Sequence, residues 1–417
     1  MLPDAGGSGA FARRAFNDII SFITSWALML DYLVTIAISA FSVANYLSHF
    51  YSPFGNYPMN SLTAIFIVAL LVCINIVGIR ESTRLNIIMV IVDIITQLLI
   101  AIFGVIFLIN IPLLIQNVHW GVAPTTTQLL FGISISMVAY TGIETVANLG
   151  GETRNPGRII PRTVMLVFIT VIVLYTLLSM TALSAYPVQN IDNQWVTNLT
   201  EKFINDPVLG ISNALPESIS GWLNFWVALL AVTILTIATN AGIIGASRLA
   251  YFMGVRQQLP SAIGSINRRS RVPLTALIVF AAIACLLILI GQISIMADLY
   301  AFGAMLAYAM AHISIIALRI KEPKLTRPFK IPINIHIKGR EIPVTSILGA
   351  LATFGTWLIV LLTHEYGRIV GISWLIIGLL IYLLYRRFTH KPIIESIEVK
   401  TQYKIHRDTD NQRHGDD

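Results

Sequence analysis

A chain of 417 residues, 56% hydrophobic and only 12% charged with a mean hydropathy of +0.75, lacks the polar surface of a soluble globular protein and belongs in a bilayer. Its net charge of +7 is distributed over several loops, which argues against a nucleic-acid-binding patch. Cys73 and Cys285 fall inside apolar stretches, the histidines are scattered without metal-ligand spacing, and there is no phosphate-binding glycine loop, so no disulfide framework, metal site, cofactor, ATP-driven step or catalytic constellation is indicated.

Taken from the amino end, residues 1–17 read as a loop-like cytoplasmic segment, 18–387 as a transmembrane domain and 388–417 as a polar cytoplasmic tail. Apolar stretches of roughly 18 residues or more predict ten spans, near 18–48, 60–79, 86–111, 127–149, 161–185, 219–252, 273–291, 295–318, 343–363 and 367–385. The expected fold is an all-α polytopic membrane protein. Lys and Arg accumulate in cytoplasmic loops, and here the alternation is clean. Arg13 and Arg14 precede the first span, Arg80 and Arg84 follow the second, Arg154, Arg158 and Arg162 follow the fourth, and Arg248, Arg256, Arg268, Arg269 and Arg271 close the sixth. A further group runs from Arg319 to Arg340, leaving only Lys202 and Arg368 of the 28 basic residues on the other side. Both termini are therefore expected in the cytoplasm, with the chain in a plasma or inner membrane.

Several spans carry polar groups that lipid would not tolerate without a use. In the first, Asp31 shares a stripe with Thr24, Thr35, Ser39 and Ser42, spaced so that one helix face is polar. That stripe is either a cavity wall or a set of bonds to neighbouring helices. In the third, Asp93 shares a face with Asn86, Thr96 and Gln97. In the fourth, Gly142 sits among Tyr140, Thr141 and Glu144, the composition of a helix that unwinds beside a protein-lined cavity, and this points to transport. Asp298 lies close to the outer end of its span and reads as solvated or as a cap. The first and sixth spans are the longest, at roughly 30 residues against about 20 for a minimal crossing. Their odd offset of five gives a second copy the opposite orientation, as an inverted repeat requires.

Specific blocks then carry a family resemblance. Gly142-Ile143-Glu144, followed by Glu152, Asn155 and Pro156, resembles the sixth helix and following loop of the amino acid, polyamine and organocation (APC) permeases. Asn240-Ala241-Gly242 with Gly245-Ala246-Ser247-Arg248-Leu249 and Tyr251 resembles the eighth helix, and Ala297-Asp298-Leu299-Tyr300 with Gly303 the start of the tenth. Pro3-Asp4-Ala5-Gly6-Gly7 with Arg13, Arg14 and Phe16 resembles the loop between the second and third helices. The resemblance implies a five-plus-five inverted-repeat transporter with an incomplete first repeat that lacks two helices, including the family's unwound, glycine-rich first helix. Gly7-Ser8-Gly9 is read as loop rather than as that segment.

On this resemblance, Ala139, Tyr140, Thr141, Gly142 and Ile143 offer backbone groups to a substrate, and Tyr140 is either an aromatic lid or a packing residue. Glu144, then Asp93, with Asp31, are the candidates for proton or cation coupling, since an acid inside a bilayer is costly without a partner or role. The expected function is a secondary active transporter of amino acids or related amines. It would work by alternating access with H⁺ or Na⁺ as coupling ion, in symport or exchange, and is not an enzyme. The alternative is a truncated or non-transporting permease-like scaffold or sensor without a complete site.

Overall fold

The computed structural model describes residues 6–77, 83–119, 121–140, 142, 153, 155–191, 194–267, 272–325, 327, 329–331, 333–337 and 339–395. Its helices are α1 (Gly7–Ala15), α2 (Asp18–Leu47), α3 (Met59–Val77), α4 (Thr83–Phe107), α5 (Ile111–Gln116), α6 (Thr126–Ser136), α7 (Pro156–Ala185), α8 (Asn198–Lys202), α9 (Pro207–Asn213), α10 (Glu217–Val255), α11 (Leu274–Ile288), α12 (Ile293–Lys321), α13 (Val344–Thr363) and α14 (Glu365–Phe388). Two short antiparallel hairpins decorate the loops, β1 (Gln189–Ile191) with β2 (Gln194–Val196) and β3 (Asn334–Ile337) with β4 (Arg340–Pro343).

Among the described residues, eight helices are long and apolar enough to cross a membrane: α2, α3, residues 87–107 of α4, α7, α10, α12, α13 and α14. Two expected spans differ. The one near 273–291 forms α11, a 15-residue helix, which at about 1.5 Å per residue is short of a bilayer's hydrocarbon thickness. The one near 127–149 is described only to Tyr140 and at Gly142, and there it is α-helical over Thr126–Ser136 and tightens into a 3-10 turn over Met137–Tyr140. A third difference lies at the amino end, where Gly7–Ala15 form helix α1 instead of the expected loop. Glycine is a poor helix former, and tertiary contact explains the outcome. The Ser21 hydroxyl donates to the Gly9 carbonyl at 2.9 Å, and a Cβ on Gly9 would collide with Ser25 Oγ.

α2 is the axis of the bundle. Asn17 caps it by accepting from the Ile20 N–H at 3.0 Å, and nearly all of its length is buried. Three helices lie antiparallel against it, as residue pairings along each contact show. α10 brings Gly242 to Ile36 and Gly245 to Tyr32, while Gln258, just past its end, donates to Ser21 Oγ at 3.0 Å. α12 places Tyr300 beside Thr35 and Gly303 over the backbone of Ala27 and Asp31. α14 stacks Trp374 on Trp26 with ring centroids 4.5 Å apart, and each indole N–H donates to the other residue's carbonyl, at 2.8 and 2.9 Å.

Charge collects at the end of the bundle where α2 begins. Asp18 is fully buried between two arginines, accepting from Arg13 Nε at 2.5 Å and from Arg386 at 2.6 Å. Arg14 makes a two-pronged pair with Glu322 at 3.0 and 2.7 Å. The β3–β4 hairpin adds Glu341, whose hydrogen bond from Lys330 at 2.8 Å holds its carboxyl below the usual range.

Helices in lipid gain no hydrophobic drive from pairing, so close backbone approach carries the association. A Cβ on Gly303 would stand 2.8 Å from the Ala27 carbonyl oxygen, which is backbone and cannot swing aside. Gly303→Val should therefore destabilise the purified protein by about 1–3 kcal/mol, read as a lower thermal midpoint in detergent. Gly355→Ala, with nothing within 4 Å of the added carbon, should leave it unchanged or slightly raised, since alanine is the better helix former; a midpoint lowered as far by this change as by Gly303→Val would contradict this packing.

Candidate functional site

The helix break predicted around Gly142 begins at α6. Thr125 and Gln128 form a reciprocal capping box at its start, the 3-10 turn ends it at Tyr140, and Gly142 has a φ of +96°. That conformation disfavours L side chains. A Cβ there would meet nothing within 4 Å, so the constraint on Gly142 is its backbone and not its neighbours. Of the residues expected to face a substrate, Ala139, Tyr140 and Gly142 are described and exposed, while Thr141, Ile143 and the coupling candidate Glu144 lie outside the described residues. The Ala139 carbonyl accepts from the Tyr175 hydroxyl of α7 at 3.0 Å. Tyr140 meets the Tyr175 ring edge-on, with centroids 5.9 Å apart, so it has a packing partner even though its ring is open on another side.

The 3-10 turn rests on α12, and α12 in turn covers Asp31 of α2. Asp31 is fully buried. Its carbonyl accepts from the Thr35 hydroxyl at 2.9 Å, and that hydroxyl lies 3.0 Å from Tyr300 Oη. Thr24 and Ser39 of the same stripe are buried too, so the polar face of α2 looks into protein and away from lipid. Asp93 stands on a different interface. It is half-buried on α4, accepts from Gln97 Nε2 at 2.6 Å, and its helix packs on α7 and α10. One turn on, Thr96 accepts from the Trp226 indole at 3.1 Å and donates to the Val92 carbonyl. Asp31 and Asp93 are thus not brought together. The Asn86 side chain lies outside the described residues.

One buried polar chain escaped the sequence reading. Asp298 neither caps α12, whose N-cap is Gln292, nor faces solvent: it is 8% exposed, with Oδ1 2.7 Å from His364 Nδ1. His364 Nε2 lies 2.6 Å from Ser134 Oγ of α6, whose hydroxyl is also 2.7 Å from the Phe131 carbonyl. The Phe131 ring stacks on the imidazole at 4.1 Å with 11° between planes. These residues come from α6, α12 and the junction of α13 and α14, separated by 66 and 230 positions, and no local spacing pairs them. The signal available was a histidine standing between two apolar helices.

Comparison with known proteins settles the class. Residues 1–384 match the family described as "Amino acid permease". The chain belongs to that family. The permease is 24% identical over 407 residues to the branched-chain amino acid permease BcaP of Bacillus subtilis (strain 168), covering 93% of this chain and 80% of that protein. It is 24% identical over 423 residues to the aspartate-proton symporter of the same organism, covering 97% and 75%. It is 22% identical over 338 residues to cationic amino acid transporter 4, vacuolar, of Arabidopsis thaliana, covering 77% and 54%. This is an APC-family transporter, a multi-pass membrane protein and not an enzyme.

Around the break, the Tyr175 hydroxyl is the tie that joins the permease's 3-10 turn to α7. Removing it in Tyr175→Phe should cost about 1 kcal/mol of stability, seen as a lower thermal midpoint; an unchanged or raised midpoint would mean that this bond does not hold the turn.

Proposed function

We propose that this permease moves an amino acid or related amine across the cytoplasmic membrane by alternating access, with both termini cytoplasmic and H⁺ as the coupling ion. The observation that carries this reading is the end of α6 at Ser136, where the α-helix gives way to a 3-10 turn over Met137–Tyr140 beside α12, with Gly142 at a left-handed φ. A half-helix end exposes backbone groups with a partial charge, which suits the charged ends of an amino acid. Ala139, Tyr140, Thr141, Gly142 and Ile143 form the substrate seat on this proposal. Glu144 is the first candidate for proton coupling, with Asp93 and Asp31 behind it.

The antiparallel contact of α2 and α10, the helices formed by the first and sixth expected spans, supports a five-plus-five inverted repeat in which each heads one copy. The name of one relative, aspartate-proton symporter, supports the choice of proton over Na⁺. The names of the others speak of branched-chain and cationic amino acids, so the substrate side chain is left to measurement.

The test is uptake of a panel of labelled amino acids and polyamines into proteoliposomes, with and without a pH gradient. Saturable accumulation of at least one amino acid, enhanced by an inward proton gradient, is expected; a folded protein that accumulates none would overturn the proposal. Gly142→Ala should cut uptake roughly tenfold, the factor that ~1–2 kcal/mol of left-handed strain corresponds to. Glu144→Gln and Asp93→Asn separate the coupling candidates, because a substitution that leaves gradient-driven uptake intact removes its residue from that role.

A further inference from the structure

The Asp298–His364–Ser134 chain lies at the end of the bundle opposite the Asp18 cluster, since α12 runs from Asp298 at one end to Arg319 and Lys321 at the other. Its hydrogens can be placed in two ways. The Ser134 hydroxyl has one proton and two neighbours within bonding distance, the Phe131 carbonyl at 2.7 Å and His364 Nε2 at 2.6 Å. An ionised Asp298 only accepts, so Nδ1, 2.7 Å away, carries a hydrogen in either case. With a neutral imidazole, Nε2 accepts from Ser134 and the Phe131 carbonyl loses that bond. With an imidazolium, Nε2 donates to Ser134, and Ser134 turns its own hydrogen to Phe131. Both arrangements fit the same heavy-atom positions, and they differ by one proton.

The protonated arrangement binds α6 more tightly. It adds a charge-assisted bond to Ser134, restores the bond to the Phe131 carbonyl, and places a cation against the Phe131 ring stacked at 4.1 Å. It also leaves the buried chain neutral overall, which a low-dielectric site favours. The ionisable groups near His364 are few. α12 supplies Asp298, α14 supplies the exposed Glu365 and Arg368, the latter 3.3 Å from the Leu361 carbonyl, and neither α6 nor α13 contains an ionisable side chain. The order of groups is that of a nucleophilic triad, but Ser134 is fully buried and is not presented to a substrate.

We propose that Asp298, His364 and Ser134 form a proton-binding site that clamps half-helix α6 to the α12–α14 end of the bundle, holding it when protonated and loosening it when the proton leaves. Of the three groups, the imidazole is the one whose gain or loss of a proton exchanges the two arrangements. Its consequence for transport rests on the reading of residues 139–143 as the substrate seat, because α6 leads into the 3-10 turn that carries Ala139 and Tyr140; the proton site itself does not.

The test is hydrogen exchange of the full chain in lipid nanodiscs between pH 5 and 8, corrected for intrinsic exchange, followed over residues 126–136. Wild type should show roughly fivefold greater protection of α6 at the acid end, in line with the gain from neutral to charged hydrogen bonds. His364→Gln should abolish that step, and Ser134→Ala, a milder change that keeps the Asp298–His364 pair, should reduce it to within about twofold. The absence of a step in wild type, or its persistence at full size in either folded variant, would overturn the proposal. Uptake measured alongside keeps the two readings apart: a pH-dependent clamp in a protein that moves no amino acid would sink the transport reading and leave the proton site standing.

Discussion

The structure depends on how closely other backbones approach α2. Lipid removes the hydrophobic incentive for helices to pair, so what remains is van der Waals contact, and that contact is greatest where one partner has no side chain. Gly242 and Gly245 of α10, Gly303 of α12 and Gly378 of α14 all meet α2, at Ile36, Tyr32, the Ala27–Asp31 backbone and Trp26 respectively. These contacts fix three antiparallel helices on one axis. They also bury Asp31 at mid-helix, where a looser bundle would expose it, and give α12 a set position from which it supports the 3-10 turn at 137–140.

The two ends of this scaffold differ in kind. Where α2 begins, Asp18, Arg13 and Arg386 with Arg14 and Glu322 tie α1, α2, α12 and α14 into an ionic knot. At the other end, the polar chain through His364 joins α12 and α14 to α6. Removing one member of a buried charge pair strands its partner at high cost, which makes the first end a permanent fastening. A histidine held between a carboxylate and a hydroxyl has two satisfied states instead, which suits a fastening that opens. α4 and α7 lie outside this frame with much of their surface uncovered, and α7 reaches the break through Tyr175.

Much of this was legible in the sequence because hydropathy and backbone accounting are local. Among the described residues, eight of the expected spans are helices of crossing length, the α-helix before Gly142 gives way to a 3-10 turn, and the polar stripe through Asp31 faces protein. What was not legible is non-local. α1 forms in a glycine-rich stretch that propensity marks as loop, since its stability comes from Ser21 and Ser25 across the turn. α11 is shorter than its apolar stretch suggested, because Leu289–Gln292 leave the helix before α12 begins. Asp298 was mistaken for a cap because its partner His364 is 66 residues away. The family resemblance supplied the class of protein; the residues that would hold a substrate are a proposal built on the break.

The most direct test of that account is whether substrate covers the break. In a background with Cys73 and Cys285 replaced by alanine, Ala139→Cys would be reacted with a maleimide in proteoliposomes, with and without a transported amino acid. Slower labelling in the presence of that amino acid, and not of one that is not transported, is the predicted result. Equal labelling rates in a variant that still accumulates the amino acid would place the substrate elsewhere and contradict the account.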